Sequence, residues 1–417
     1  MKNVFKASLV ALALASATTA NAATLAITNA KVHTVTDAGV LENATVIVED
    51  GVITAINPES FSADSAEVID AKGKVLTPGF IVSLDNLGLV EVGAVARSRD
   101  AGDKKANITF DPSVAFNPKS TVIPMTRKGG ITQAIVTPSG GDDIFAGQTF
   151  VANLSGQFDS VEAAGNAVVV ELGSESKGSR ASAILKLTEQ LEDAQKALDK
   201  AAKANKEDKK EGKEPKRSEK VLNAVLNGEK PLVAHADRAT DILALLKLKE
   251  QFGFELVLAG AADAILIADK IAAAKVPVVM NSMRNLPGSF DSLHVDLTSA
   301  GVLSKAGVKV VLTTNGDTHN GHLLRFTVGN AVANGMDYDA ALAAVTANVA
   351  EVFKLDSGSI AKGKPANLVL WGADPFELST SAEMLWIDGK LQKLESRQDA
   401  LRDRYMTKSD MPRGYTK

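Results

Sequence analysis

The nine residues Pro78-Gly79-Phe80-Ile81-Val82-Ser83-Leu84-Asp85-Asn86 constrain the fold of this chain more than any other stretch. A Pro-Gly turn delivers a short apolar run, which reads as a buried strand ending in a polar pair. Short alternating runs come before it and a long series of strand and helix units comes after. The stretch therefore stands where one architecture hands over to another.

On the N-terminal side, from Thr24 to about Val75, runs such as Ala44-Thr45-Val46-Ile47-Val48 and Gly51-Val52-Ile53-Thr54-Ala55-Ile56 are separated by turn residues and predict a small antiparallel β-unit. The same texture returns in Asn367-Leu368-Val369-Leu370-Trp371 and in Met384-Leu385-Trp386-Ile387. We expect one composite β-sandwich built from both chain ends, residues 23–76 and 356–395, followed by a tail at 396–417. Between them, residues 77–355 alternate apolar runs with helix-period segments. The runs around Ile131–Val136, Ala167–Leu172, Pro231–His235, Glu255–Leu258, Val276–Met280 and Val308–Thr313 are apolar enough to be covered on both faces. Repeated βα units mean a parallel sheet, and a count near eight favours an α/β (β/α)8 TIM-like barrel over a doubly wound sheet. No Gly-rich phosphate loop follows any of these strands. With 45% hydrophobic residues in 417, the chain can bury a core of that size.

Residues 1–22 have the pattern of a cleaved export signal. Lys2 and Lys6 precede the apolar run Ala7 to Ala17, and Ala20-Asn21-Ala22 fits the small-x-small rule, with cleavage expected after Ala22. The apolar run is too short to span a bilayer, and no later stretch is long and apolar enough to do so. We therefore expect a periplasmic or secreted protein without a membrane span. The net charge of −4 gives no reason to expect a nucleic-acid partner. The chain has no cysteine, which excludes disulfides and thiolate chemistry. One segment, residues 181–227, breaks the βα rhythm. It is helical and charge-dense, peaking at Lys206-Glu207-Asp208-Lys209-Lys210-Glu211, with Leu185, Leu191 and Leu198 as an apolar stripe and a turn at Gly212 and Pro215. It predicts a solvated helical hairpin or a flexible loop; the sharper alternative is a docking arm for a partner subunit.

Four motifs, in order along the chain, carry a family resemblance. They are Ala71-Lys72-Gly73-Lys74-Val75-Leu76-Thr77-Pro78-Gly79-Phe80-Ile81, His235-Ala236-Asp237-Arg238-Ala239-Thr240-Asp241-Ile242, Gly358–Val369 followed by Asp374-Pro375, and Ile387-Asp388-Gly389-Lys390. Together they resemble the amidohydrolase superfamily, in its imidazolonepropionase-like and secreted peptidase-like branch. The resemblance implies a (β/α)8 barrel with a β-sandwich assembled from both ends, and one or two divalent metals at the C-terminal mouth of the barrel. It implies ligands from a His-x-His on strand 1, a carboxylated Lys or a Glu on strand 4, single histidines on strands 5 and 6, and an Asp on strand 8. Such a metal lowers the pKa of a bound water, and the strand-8 Asp carries its proton to the leaving group.

Carried over residue by residue, the two strand-1 histidines fall on Leu84 and Asn86, and the strand-5 histidine is matched by His235. The strand-6 histidine falls on Gly260 and the strand-8 Asp on Asn315, whose amide takes no proton at neutral pH. Glu171 or Glu175 is the strand-4 candidate. A substitute cluster, Asp317-Thr318-His319-Asn320-Gly321-His322, follows strand 8; helix-capping and loop roles account for it as well. Asp85 is expected on the opposite face of its strand from Leu84 and Asn86 unless the strand bulges. His33 is expected at the surface and His294 in a structural role, and no Gly-x-Ser-x-Gly elbow is present.

The expectation is an exported member of this family without metal-dependent hydrolysis, acting as a partner, regulatory or ligand-binding homologue. Its pocket would contain Leu84, Asn86, Gly260, Asn315, Asp317 and His319, with His235 as a vestigial metal ligand. No cofactor is expected; the alternative is one divalent metal, zinc, serving a hydrolase of amide, cyclic imide or peptide C–N bonds. The partner would be an intact amidohydrolase paralogue or a second copy of the chain.

Overall fold

The structure, a computed structural model, describes residues 24–62, 66–173, 178–207, 214–314 and 318–406. Residues 1–22, where an export signal is expected, Glu175, residues 208–213 of the charge-dense segment, Asn315 and Asp317 lie outside the described residues.

Eight staves form the barrel: β1 (Phe80–Asp85), β2 (Ile131–Val136), β3 (Phe145–Gln148 continued by Phe150–Asn153), β4 (Val168–Glu171), β5 (Leu232–Ala236), β6 (Leu256–Gly260), β7 (Val278–Met280) and β8 (Val310–Leu312). β1 runs parallel to β2, and β4 to β8 form one parallel ladder. β3 is antiparallel to both neighbours, its second half to β2 and its first half to β4. This departs from the all-parallel expectation for a simple reason. Only residues 137–144 separate β2 from β3, and a parallel return needs a crossover of about a dozen residues or more. Between β8 and β1, the Thr313 hydroxyl donates to the Ser83 carbonyl.

Side-chain alternation shows that the staves enclose a common interior. Ile81, Ile135, Ala146, Val169, Val233, Val257, Val279 and Val311, at least one from each stave, pack into one cluster that Val349 and Phe353 extend. Their sequence neighbours Val82, Ala134, Phe145, Val168, Ala234, Leu258, Val278 and Leu312 face outward into a second cluster with the helices. Period-two burial of both faces is what a small barrel requires.

The second unit is a single sheet of both chain ends. Strands Thr24–His33, Val40–Glu49, Val52–Ile56, Ala66–Asp70 and Val75–Pro78 join Leu368–Trp371, Ala382–Ile387 and Lys390–Leu391. Its core mixes Leu25, Ile27, Val46 and Leu76 with Leu368, Leu370 and Trp386. The N-terminal part is mixed rather than antiparallel. Thr24–His33 pairs antiparallel with Val40–Glu49 but parallel with both Ala66–Asp70 and Val75–Pro78. An irregularity at Asn29, φ +52, lets one strand serve two parallel neighbours in succession.

Where the two units meet, the buried Trp371 indole donates to Thr77 Oγ1 at 2.9 Å and stacks on Phe80 with centroids 5.3 Å apart. His33 lies near this joint, 5.7 Å from the Tyr338 ring, and is only 8% exposed, which corrects its surface expectation. The cause is that Tyr338, from the barrel side, covers the end of the strand that carries it.

The charge-dense segment forms two helices, Arg180–Glu207 and Arg217–Leu226, which pack on each other between β4 and β5. The first also packs on helix Ala239–Phe252. Its buried residues are Ala183, Leu187, Leu191 and Ala194, whereas Leu185 is 58% exposed and Leu198 half-buried. The base of the hairpin is therefore the crossover that the parallel β4–β5 pair demands, rather than an appended arm.

Candidate active-site mouth

A cavity of 390 Å³ opens at the C-terminal ends of the staves, lined by Leu84 of β1 and Asn86 just beyond it, Glu171 of β4, His235 of β5 and Asp237 just beyond it, Gly260 of β6, Asn281 and Arg284 beyond β7, and Thr313 beyond β8. This is the end where a barrel of this type places its chemistry, because the βα loops are free to vary there.

β1 bulges between Ser83 and Asp85, with Leu84 at φ +56. The bulge turns Leu84 inward, where it packs with the barrel interior. Asp85 stays off the cavity despite the bulge. It is buried behind the strand, with Oδ2 3.7 Å from where a Cβ on Gly321 would stand. Asn86 reaches the mouth, but its amide nitrogen donates to the Thr137 carbonyl at 2.7 Å, tying the ends of β1 and β2 together.

His235 and Glu171 sit side by side on paired staves, with Nε2 to Oε1 at 3.9 Å. Asp237 Oδ1 accepts from the Ala262 N–H at 3.0 Å and lies 3.7 Å from the Arg284 guanidinium. Gly260 is in the left-handed region at φ +81. Behind this rim, Asp291 is buried between two arginines, Arg238 Nε at 2.6 Å and Arg180. Hydrogen bonding to Asp291 raises the Arg180 guanidinium above its usual value. Burial raises the nearby Asp241 carboxyl, and Arg180 at 3.4 Å opposes that rise.

Among the residues expected in the pocket, Leu84, Asn86, Gly260 and His235 meet in one cavity. His319 is exposed and does not line it. His322 is half-buried, its imidazole pKa lowered by burial. His294 Nδ1 pairs with Asp263 Oδ1 at 2.7 Å, while Asp263 Oδ2 accepts the first amide of helix Ala239–Phe252. Sequence reasoning missed Arg284, Asn281 and Asp291. The available signal was positional, since each lies in the loop just beyond β7, at the barrel end where functional side chains gather.

Among the described residues the donor set does not suit a catalytic dication. Leu84 and Gly260 offer no donor, Asn86 offers at most a neutral amide oxygen, and the guanidinium of Arg284 already brings a positive charge to the same wall. Glu171 and His235 remain, with Asp237 partly committed to a backbone amide. A zinc site needs three or four imidazole, thiolate or carboxylate ligands converging on a point. Among the described residues no group of three or more His, Asp and Glu side chains has that arrangement.

The family model for the amidohydrolase family matches residues 120–392. The chain belongs to the amidohydrolase family. Among its relatives, the amidohydrolase tasK of Hapsidospora irregularis is 22% identical over 391 residues, covering 83% of this chain and 39% of that protein. The chain thus spans about two-fifths of the length of that curated relative. The crystal structure of an amidohydrolase from Thermotoga maritima MSB8 superposes with a TM-score of 0.80 at 25% identity, covering 88% of this chain and 99% of that one. A putative prolidase from Bifidobacterium longum shares the fold at 16% identity, TM-score 0.55, over 93% of this chain and all (100%) of its own. These likenesses fit the barrel and composite sheet described above.

Proposed function

We propose that this amidohydrolase-family chain is an exported binding homologue, which holds a small ligand in the barrel mouth without the family's metal-dependent hydrolysis. The observation that carries this reading is the composition of the cavity wall. Leu84, Asn86 and Gly260, at three positions where the family resemblance implies histidines, line the same cavity as His235. A dication needs imidazole or anionic ligands to offset its dehydration, and those three residues supply neither. The pocket itself persists, with a polar rim able to fix the orientation of a ligand. Export rests on the basic, apolar and small-residue pattern of residues 1–22. A regulatory role beside an intact paralogue, or in a homo-oligomer, is the cellular setting we propose for a binding homologue of this kind.

Elemental analysis of the purified chain after incubation with zinc tests the reading. The expected result is substoichiometric metal that does not change in His235→Ala. One tightly held zinc or manganese per chain, lost in His235→Ala, overturns it. A mature N-terminus at Ala23 in the periplasmic or secreted fraction is the expected result for export, and an intact Met1 in the cytosol contradicts it.

One observation favours a second reading, retained C–N hydrolysis with a single metal: Glu171 and His235 remain neighbours in the mouth at 3.9 Å. That reading requires chelator-sensitive turnover of an amide, cyclic imide or dipeptide, abolished by His235→Ala.

A further inference from the structure

Arg284 is the only arginine or lysine among the described residues lining the mouth. Its guanidinium is 3.7 Å from Asp237, a distance too long for a hydrogen bond, and makes none to protein among the described residues. Arg180 and Arg238 just behind are both engaged by Asp291. A guanidinium on the cavity wall with no hydrogen bond of its own among the described residues presents a planar fork of donors suited to a carboxylate. Next to it, Asn281 spends its Oδ1 on the Met283 N–H at 2.7 Å, which leaves its amide N–H groups for a ligand. Glu171 and His235, on staves β4 and β5, supply an acceptor and an imidazole to the same space.

The geometry points to a small zwitterion as the ligand, with its carboxylate on Arg284 and Asn281 and its ammonium or N–H on Glu171. The assignment rests on the metal-free binding reading above. Charge decides against a phosphate or other polyanion. Asp291 is matched by Arg180 and Arg238 behind it, and the one guanidinium of the lining faces the carboxylates of Glu171 and Asp237, so a dianion finds no surplus positive charge there, whereas a ligand with its own cation does not need one. Size agrees, since 390 Å³ lies toward the small end of ligand pockets and fits a molecule on the scale of a dipeptide.

Calorimetric titration of EDTA-treated protein with alanylalanine, its C-terminal amide and its N-acetyl derivative tests the assignment. The free dipeptide is expected to bind. Loss of the carboxylate, or Arg284→Ala, weakens binding by about ten- to a hundredfold, the worth of a charge-assisted hydrogen-bonded pair. Arg284→Lys keeps part of the affinity, and N-acetylation or Glu171→Gln weakens it independently of Arg284. Equal affinity for acid and amide, unchanged affinity in Arg284→Ala, or no binding of alanylalanine at millimolar concentration overturns the assignment. The two readings fail differently. Zinc-dependent hydrolysis with the acid-over-amide preference intact overturns the proposed function and leaves Arg284 as the carboxylate site. Metal-free binding without that preference does the reverse.

Discussion

A Cβ placed on Gly260 would stand 2.8 Å from Asp237 Oδ1. The strand-6 position that the family resemblance assigns to a histidine is therefore not an empty place awaiting a side chain. The Asp237 carboxylate lies against the backbone there, held by the Ala262 amide, and the glycine is in the left-handed region at φ +81. Glycine at 260 and the position of the Asp237 carboxylate are thus coupled.

Gly260→His is accordingly expected to destabilise the fold rather than restore a metal site. A side chain there meets both an unfavourable backbone region and a fixed carboxylate, together about 2–5 kcal/mol. Chemical denaturation measures the loss, and zinc content measured on the same variant should stay at the wild-type level. The triple variant Leu84→His/Asn86→His/Gly260→His should also fail to load zinc, because the strand-6 imidazole is displaced from the wall. Stoichiometric zinc in either variant contradicts this account.

Gly79 is a second place where a missing side chain is required, here for the scaffold. A Cβ at Gly79 would fall 2.2 Å from Thr132 Oγ1 and 2.3 Å from its Cγ2, as β1 enters beside β2. Gly79→Ala should lower stability by about 1–3 kcal/mol through overpacking. Thr132 Cβ would also stand close, at 2.7 Å, so Thr132→Ala in the same chain should recover part of the loss and Thr132→Gly should remove the clash itself. A double-mutant cycle on unfolding free energies reads the coupling, and simple additivity would show that the strain lies elsewhere.

The buried imidazole of His33 makes stability depend on pH. Burial lowers its pKa below 6.5, and Lys31 lowers it further, while Asp339, Asp374 and Glu42 pull the other way. The folded state thus prefers the neutral ring, and the unfolded chain takes up the proton first. The contribution is fully present above pH 6.5 and is lost as pH falls through the window between 6.5 and the lowered folded value. His322, also lowered by burial, adds to the same trend. Unfolding midpoints measured across this window should fall with pH in the wild type and fall less in His33→Gln. Parallel curves for the two proteins would remove His33 from the explanation.

The legible parts of the chain were those written in local periodicity. Pro78–Ile81 announces the first stave because a Pro-Gly turn before a run buried on both faces has few other uses. The return of strand texture at Leu368–Trp371 announces a sheet made of both ends. Less legible was whatever depends on how far the chain must travel. The reversal of β3 follows from the short link 137–144, a constraint that apolar patterning does not express. The mouth was half legible. His235 stands in a recognisable motif, but Arg284 and Asp291 belong to a loop without periodicity, and only the barrel's geometry brings them to the rim. His33 was misplaced because Tyr338, which covers it, lies some three hundred residues away along the chain.

The long helix Arg180–Glu207 shows the same limit at the scale of one turn. A stripe drawn through Leu185, Leu191 and Leu198 follows a heptad-like spacing, whereas the buried residues Ala183, Leu187, Leu191 and Ala194 follow the i, i+4, i+8, i+11 face of a straight helix. The two readings agree at Leu191 and part at the preceding turn, so that turn decides between them. Leu187, fully buried, joins the cluster that packs helices onto the outer faces of the staves. Leu187→Ala is expected to cost about 2–5 kcal/mol through the cavity it leaves. Leu185→Ala, at an exposed position, should stay within about 0.5 kcal/mol of wild type. Urea unfolding of the two variants side by side gives the answer. A large effect at Leu187 with none at Leu185 means that this helix is part of the barrel wall and that a docking function, if the hairpin has one, belongs to its far end. Equal small effects would mean that the whole hairpin stands off the barrel as a separate arm.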